Sequence, residues 1–293
     1  MISMRDMEKA HPIHILQIVG DPVGGIRKHV HSLLFGLNRT EYSLSYAYSS
    51  TATDNVFNKE IVGLEAILHG SLSLHVHKKP HINDLINLWK LCRYVFENHV
   101  DFVHGHGAKA GLYARLIGMV CHIPVFYTPH GGVVHNMFGY WQDRLYLSVE
   151  RLLLKYTSCI VFVSHYSESA YISRIGKIPG KYRVNYNGIE PMPVETPANH
   201  EFGEKDKITI GVFGMLRPEK GQINLLKAVR AIVQAGRHNL VLHIFGDGPD
   251  RQRLEQEAAL SEASSAIVFH GDVADTQEWM LRMDMVVHVS RCR

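Results

Sequence analysis

Two groups of residues in this chain are of types that can do chemistry. The first is cationic. Arg217 and Lys220 lie in I-T-I-G-V-F-G-M-L-R-P-E-K-G, residues 208–221, between a β-branched run and a segment of helical periodicity. Ile208, Ile210, Val212 and Phe213 read as a buried strand, and Ile223, Leu225, Leu226, Val229, Ile232 and Val233 recur at helical spacing. Such a strand, a basic loop closed by Gly221 and a helix start gather free N–H groups, a positive dipole end and two cations around one point, which suits a phosphate or diphosphate. An ordinary β–α connection with solvated Arg and Lys fits the same residues. The second group is imidazole: His75-x-His77, His104-x-His106 and His130, in a chain with 20 histidines. Neither H-x-H pair has a Cys, Asp or Glu at a recognisable ligand spacing, so no metal ligand set is expected from them. His130 stands between Pro129 and Gly131, just past the carboxyl end of an expected strand, where ligands sit in open α/β sheets.

These residues need elements to hold them. A strand is expected at 14–19, followed by G-D-P-V-G-G-I-R-K-H, in which Gly24 and Gly25 precede a helix with Ile26, Val30, Leu33, Leu34 and Leu37 on one face. The G-x-G-x-x-G spacing is absent, which excludes a dinucleotide fingerprint. The paired glycines would let a ligand approach the backbone closely, and a tight turn explains them as well. Strands are expected at 43–48, 66–68 and 72–76, then a helix over 82–97 with Leu85, Leu88, Trp89 and Val95 inward. D-F-V-H-G-H-G (101–107) is a strand running into a glycine turn and a helix at 108–119, and P-V-F-Y-T-P-H-G-G (124–132) repeats the strand and turn. A helix over 138–156 packs on the sheet with its basic residues outward, a strand follows at 159–163, and Ser164 is placed to cap the next helix. V-N-Y-N-G-I-E (184–190) carries Asn187 and Gly188 in a turn, and Pro191, Pro193 and Pro197 mark a linker. Beyond it the pattern resumes: a strand at 240–245 leading to G-D-G-P-D with Gly246 and Gly248, a helix at 251–260, a strand at 266–269, a helix at 275–282 and a strand at 285–289. Residues 290–293 follow that strand directly, so the second sheet is expected to be incomplete.

Composition excludes several classes. The 293 residues, 46% hydrophobic and 20% charged, suffice for two compact domains. A net charge of +3 without a basic stripe argues against nucleic acid as a partner. Cys92, Cys121, Cys159 and Cys292 are scattered, which favours a reducing, cytoplasmic compartment. No apolar run reaches the roughly 18 residues of a membrane span, and residues 1–11 lack the apolar core of a signal peptide.

G-G-I-R-K-H, H-G-H-G-A-K-A-G (104–111), T-P-H-G (128–131), N-G-I-E (187–190), R-P-E-K-G (217–221) and G-D-G-P (246–249) follow one another in the order and at about the spacing of glycosyltransferases of family 4, which the chain resembles over nearly its whole length. The resemblance implies an α/β fold of GT-B type, two Rossmann-like domains with mostly parallel sheets, the second one incomplete: an acceptor-side domain at 1–190, a linker at 191–206 and a nucleotide-sugar domain at 207–293. It implies retaining transfer of a sugar from a nucleotide-diphosphate sugar to a glycan or lipid-linked acceptor in polysaccharide biosynthesis. No cofactor and no obligatory metal are implied, and the setting is the cytoplasm, with peripheral contact at the inner membrane face as a further option. His130, at the T-P-H-G position, would be the catalytic residue contacting the sugar near the reacting carbon. Gly24, Gly25, Arg217, Lys220 and Gly221 would bind the donor diphosphate, and His106, Asn187, Gly188, Gly246 and Gly248 would line the rest of the donor or acceptor cleft. Two departures stand out: Met215 occupies the position of the family's first loop Arg, with Arg217 two residues on as a substitute, and the E-x7-E segment expected after residue 291 is absent. Two rivals remain, a GT-B-fold sugar-nucleotide epimerase and a non-catalytic remnant or partner protein.

Overall fold

In this computed structural model, residues 11–53, 55–77, 79–130, 140–178, 180–189, 207–273 and 275–290 are described. β-branched and aromatic runs alternate with amphipathic segments, and each run becomes a strand because helices cover both of its faces. In chain order the elements are β1 (Ile13–Val19), α1 (Gly24–Gly36), β2 (Tyr42–Ser49), α2 (Asn55–Glu65), β3 (Gly70–Leu74), α3 (Asn83–Glu97), β4 (Phe102–His106), α4 (Gly107–Cys121), β5 (Val125–Thr128), α5 (Tyr140–Leu153), β6 (Cys159–Phe162), α6 (His165–Ile175) and β7 (Lys181–Val184). Their strands form one sheet in the order β3-β2-β1-β4-β5-β6-β7, with every pairing parallel. Side chains alternate along β1: Leu16 and Ile18 pack with residues of α3 and α4, while Ile15 and Val19 pack with residues of α1 and α2.

A second sheet follows, built from β8 (Ile208–Phe213), α7 (Gln222–Gln234), β9 (Leu240–Phe245), α8 (Arg251–Ala259), β10 (Ile267–Gly271), α9 (Thr276–Leu281) and β11 (Met285–Val286). Its order is β10-β9-β8-β11, again all parallel. Val212, Leu226, Val229, Leu242, Ile244 and Leu254 form its core. The chain thus divides into two units, Met1–Glu190 and Pro191–Arg293. The expected linker at 191–206, the first residues of the helix expected from 138 and residues 291–293 lie outside the described residues.

Several expectations need correction. Residues 66–68 form a turn, because 55–65 is the helix α2, whose Phe57 and Leu64 are buried. On α3, Val95 faces inward and Leu88 packs against the core as expected, but Leu85 is 65% and Trp89 61% exposed, with Asn87 and Leu91 buried in their place. The largest apolar side chains therefore lie on the solvent side of that helix. Leu145 and Leu152 of α5 are likewise exposed. On α1, His29 and His31 join Val30 and Leu34 on the buried face that had been given to aliphatic residues alone. The last strand is two residues long, at the edge of its sheet. Ser164 does cap α6: its Oγ accepts from the Ser167 N–H, and Ser167 returns the bond in a capping box.

One buried ion pair ties four elements of the first unit together. Arg115 on α4 is fully buried and donates from Nη1 and Nη2 to the two carboxylate oxygens of Glu150 on α5, at 2.8 and 2.9 Å. Its Nε donates to the Gly111 carbonyl at 2.8 Å, and its guanidinium lies 4.1 Å from the centroid of the Tyr127 ring on β5. Tyr171 of α6 donates its hydroxyl to the same carboxylate at 2.7 Å. Burial alone would lower the Arg115 pKa, but Glu150 more than reverses this and the guanidinium stays charged. Because removing one partner strands the other charge, Glu150→Ala should destabilise the protein by about 3–5 kcal/mol in urea unfolding. A loss below about 1 kcal/mol, the size of a surface pair, would show that the network does not hold the helices.

Candidate functional site

In the first unit the site grows from the place where strand order reverses. Strands β1 and β4 are neighbours whose following helices lead to opposite ends of the sheet, and ligands bind at the carboxyl ends of such strands. Helix α1 begins there with no side-chain cap and no acidic residue in its first turn. Gly24 adopts φ 56°, and a Cβ on Gly24 or Gly25 would meet open space. The expected glycine pair therefore leaves a bare helix start with unshielded N–H groups.

Beside it sits a histidine cluster. His104 and His106 alternate with Val103 and Gly105 on β4, so both point to the α1 face of the sheet, where α1 supplies His29. His130, two residues beyond β5, has the left-handed φ of 46°, a conformation that functional positions often hold. Its ring centroid is 5.1 Å from that of His29 and 5.4 Å from that of His106. One ring nitrogen from each of His29, His106 and His130 lies within 4.8 Å of the others.

Hydrogen bonds fix the tautomers. The Gln17 Oε1 can only accept, so His106 carries its proton on Nε2 and donates it across 2.7 Å. That leaves a lone pair on His106 Nδ1, which accepts from His130 Nε2–H at 3.2 Å. His130 is then left with a lone pair on Nδ1. His104 Nε2 pairs with Thr128 Oγ1 at 2.9 Å. Burial, reinforced by neighbouring imidazoles, lowers the pKa of His104 and of His130 to about 3 and that of His106 well below its ordinary value. Burial also lowers His29, against a hydrogen bond from its ring to Asn187 that favours the protonated form. At neutral pH the cluster is uncharged.

The structure thus brings Gly24, Gly25, His106, His130 and Asn187 into one neighbourhood, through His29. Gly188 is exposed next to Asn187, with nothing within 4 Å of where its Cβ would be. Sequence reasoning missed His29 and Gln17. The signals were present: His29 falls three residues after Ile26 on the inward stripe of α1, and Gln17 is, with His14, one of two polar residues inside an otherwise apolar strand.

The second unit carries the cationic loop. After β8 the chain turns at Gly214, buries Leu216, and leaves Arg217 and Lys220 exposed. Arg217 is still extended, at φ −136° and ψ 152°, so Met215 and Arg217 lie on the face opposite Leu216. A 3-10 turn, Pro218–Lys220, and Gly221 at φ 72° lead into α7, which has no side-chain cap at its start. Among the described residues neither Arg217 nor Lys220 has an ion-pair partner. The G-D-G-P loop runs alongside: Gly214 N–H donates to Phe245 O at 3.0 Å, Leu216 N–H to Asp247 O at 2.9 Å and Asp250 N–H to Leu216 O at 3.1 Å. Gly246 and Gly248 are the contact points, since a Cβ on either would overlap the carbonyl of Gly214 or Leu216. Gly221, Arg217, Lys220, Gly246 and Gly248 thus form one local group within the second unit.

Two units of this kind, each a parallel sheet with glycine-containing loops and bare helix starts at the strand ends, make up the GT-B class of fold. Residues 23–192 match the model of Glycosyltransferase Family 4, and residues 195–292 match that of Glycosyl transferases group 1. The chain belongs to glycosyltransferase family 4. It is 28% identical over 160 residues to an uncharacterized 41.2 kDa protein in the cps region of Klebsiella pneumoniae, covering 51% of this chain and 44% of that protein. It is 30% identical over 111 residues to the O-antigen biosynthesis glycosyltransferase WbnH of Escherichia coli, covering 38% of this chain and 32% of that protein. Both alignments therefore span less than half of the relative. Among solved structures, Anabaena Alr3699/HepE in complex with UDP and glucose matches 95% of this chain and 74% of its own, with a TM-score of 0.73 and 19% identity, a likeness of fold.

The packing of the two loops in the second unit gives a direct test. Gly246 has φ 117°, and an added Cβ would overlap the Gly214 carbonyl. Gly246→Ala should therefore cost about 1–3 kcal/mol in urea unfolding of the second unit. Wild-type stability in that variant would show that the two loops are not locked together.

Proposed function

We propose that the protein is a glycosyltransferase that moves a sugar from a nucleotide-diphosphate sugar to a glycan or lipid-linked acceptor, with retention, in polysaccharide biosynthesis on the cytoplasmic side of the membrane. The observation that carries this reading is the loop between β8 and α7, where Arg217 and Lys220 stand exposed beside an uncapped helix start. As the bond to the diphosphate breaks, negative charge grows on the leaving group and the sugar takes on oxocarbenium character. Arg217, Lys220 and the uncapped N–H groups that begin α7 after Gly221 stabilise the first of these charges. His130, held by His106 and Gln17 with its Nδ1 lone pair free, accepts from a sugar hydroxyl and orients the ring. The Anabaena structure with UDP and glucose supports a nucleotide-sugar donor for this fold.

The two roles separate experimentally. With a nucleoside diphosphate chosen by thermal-shift screening, Lys220→Ala and Arg217→Ala should each weaken binding by about 1.5–3 kcal/mol in calorimetry, the range for charge-assisted hydrogen bonds. Unchanged affinity in both would remove the diphosphate site. His130→Ala should lower kcat while leaving nucleotide affinity nearly intact, because the contact strengthens in the transition state. Affinity and melting temperature falling together would make His130 a structural residue.

Membrane contact belongs to the same proposal. Among the described residues no helix is long and apolar enough to cross a membrane. Helix α3, however, shows a second apolar stripe opposite its buried face: Ile82, Leu85, Ile86, Trp89 and Phe96 are exposed at helical spacing. Arg93 lies over the Trp89 ring at 5.6 Å, in the same stripe. An apolar face with an interfacial Trp and a cation suits the headgroup layer of an anionic bilayer, where a lipid-linked acceptor would be reached. The protein should float with phosphatidylglycerol vesicles, and Leu85→Glu with Trp89→Glu should abolish this without lowering the melting temperature. Equal flotation of the double variant would exclude α3 as the contact.

A further inference from the structure

We infer that His29, His106 and His130 form a binding site for a divalent transition ion that favours imidazole nitrogen, Zn²⁺ foremost. The geometry is close to that of a bound state. Two nitrogens held tetrahedrally at about 2.0–2.1 Å from zinc stand roughly 3.3 Å apart, and His106 Nδ1 and His130 Nε2 are 3.2 Å apart. An ion would replace the single proton that now lies between them. The third ligand comes from His29, which is 8% exposed and whose Nε2 is buried with no hydrogen-bond partner among the described residues. Its ligand nitrogen is within 4.8 Å of the other two, so a small ring movement completes the set.

The surroundings are also those of a metal site. Gln17 takes the Nε2–H of His106 and so aims the Nδ1 lone pair inward, the role that a supporting carbonyl plays behind a ligating histidine. Asn187 does the corresponding service at the His29 ring. Three neutral imidazoles without a carboxylate select zinc, cobalt or copper over magnesium or calcium, and a fourth position is left for water. The half-buried His77 and the exposed His81, with ring centroids 3.9 Å apart, offer only two ligands and are the weaker candidate. The ion is not needed for transfer. Under the proposed function it would be an inhibitor, since coordination at His130 Nε2 moves the ring proton to Nδ1, which removes the lone pair that accepts from the sugar, and sets positive charge near a carbon that itself becomes positive. That consequence rests on the proposed function, whereas binding of the ion does not.

The test uses the full chain, freed of metal by chelator and titrated with Co²⁺ and with Zn²⁺ alone. One equivalent of Co²⁺ should produce visible ligand-field bands, Zn²⁺ should displace it, and His29→Ala and His29→Phe should lose the bands while melting within a few degrees of wild type. No bands in the wild-type protein, or equal bands in both variants, would overturn the site. If the variants do not fold, X-ray absorption at the zinc edge of the wild-type complex decides: three imidazole nitrogens are expected, and two or fewer would overturn the proposal. Loss of sugar transfer in some other assay would bear on the proposed function and leave this result standing.

Discussion

A parallel sheet covered by helices on both faces can expose its backbone only at the strand ends, and everything chemical in this protein follows from that restriction. Along the strands the side chains must be apolar or fully paired, because nothing else survives burial without cost. At the carboxyl ends of β1, β4 and β5 the first unit nevertheless buries Gln17, His104, His106 and Thr128. They persist because each has a partner: Gln17 with His106, His104 with Thr128, and His106 with His130. Such a network is rigid for the same reason that it is tolerated, since leaving a member unpaired would cost about 1–3 kcal/mol.

The same restriction explains the two glycine-bearing helix starts. A strand that ends against a helix must turn within a few residues, and the turn leaves the first N–H groups of the helix without intrahelical partners. At α1 and α7 no side chain fills that role. At α6 and α9, by contrast, Ser164 and Asp275 cap the helix with their own oxygens. Helix α3 is also uncapped without a glycine motif, but no helix start that carries one of the family's glycine motifs has a side-chain cap among the described residues.

How much of this was legible depended on whether the signal was local. The strand, glycine and helix units at 14–37 and 208–233 could be read because periodicity, turn residues and cations fall within a few residues of each other. Helix α2 could not: Asn55, Asn58, Lys59 and Glu60 interrupt its apolar positions, and Gly63 weakens its propensity. On α3 the apolar residues form two stripes, so choosing the bulkier one as inward placed Leu85 and Trp89 on the wrong side. The histidine site was hidden for a different reason. His29, His106 and His130 come from three separate elements, and ligand spacing along the chain carries no trace of a group that only the sheet order β1-β4-β5 brings together. In His104-x-His106, alternation puts both rings on one face, and His104 pairs with Thr128. Its second member acquires metal-site geometry only with partners from elsewhere.

The division of charge between the two units has a chemical logic under the proposed function. A transition state with oxocarbenium character asks for opposite treatment at its two ends: cations at the departing diphosphate, and no cation at the sugar carbon. The second unit supplies the former with Arg217 and Lys220, both exposed. The first unit supplies the latter by burial, which keeps His104, His106 and His130 neutral, so a hydrogen-bonding group can stand near the sugar without adding charge there. A lysine or arginine at position 130 could make the same contact but would carry a full positive charge into it, and its long side chain would lack the fixed lone pair that Gln17 and His106 impose on the imidazole. Histidine at this point then supplies a neutral acceptor of defined tautomer. The same neutrality is what leaves the cluster open to a transition ion.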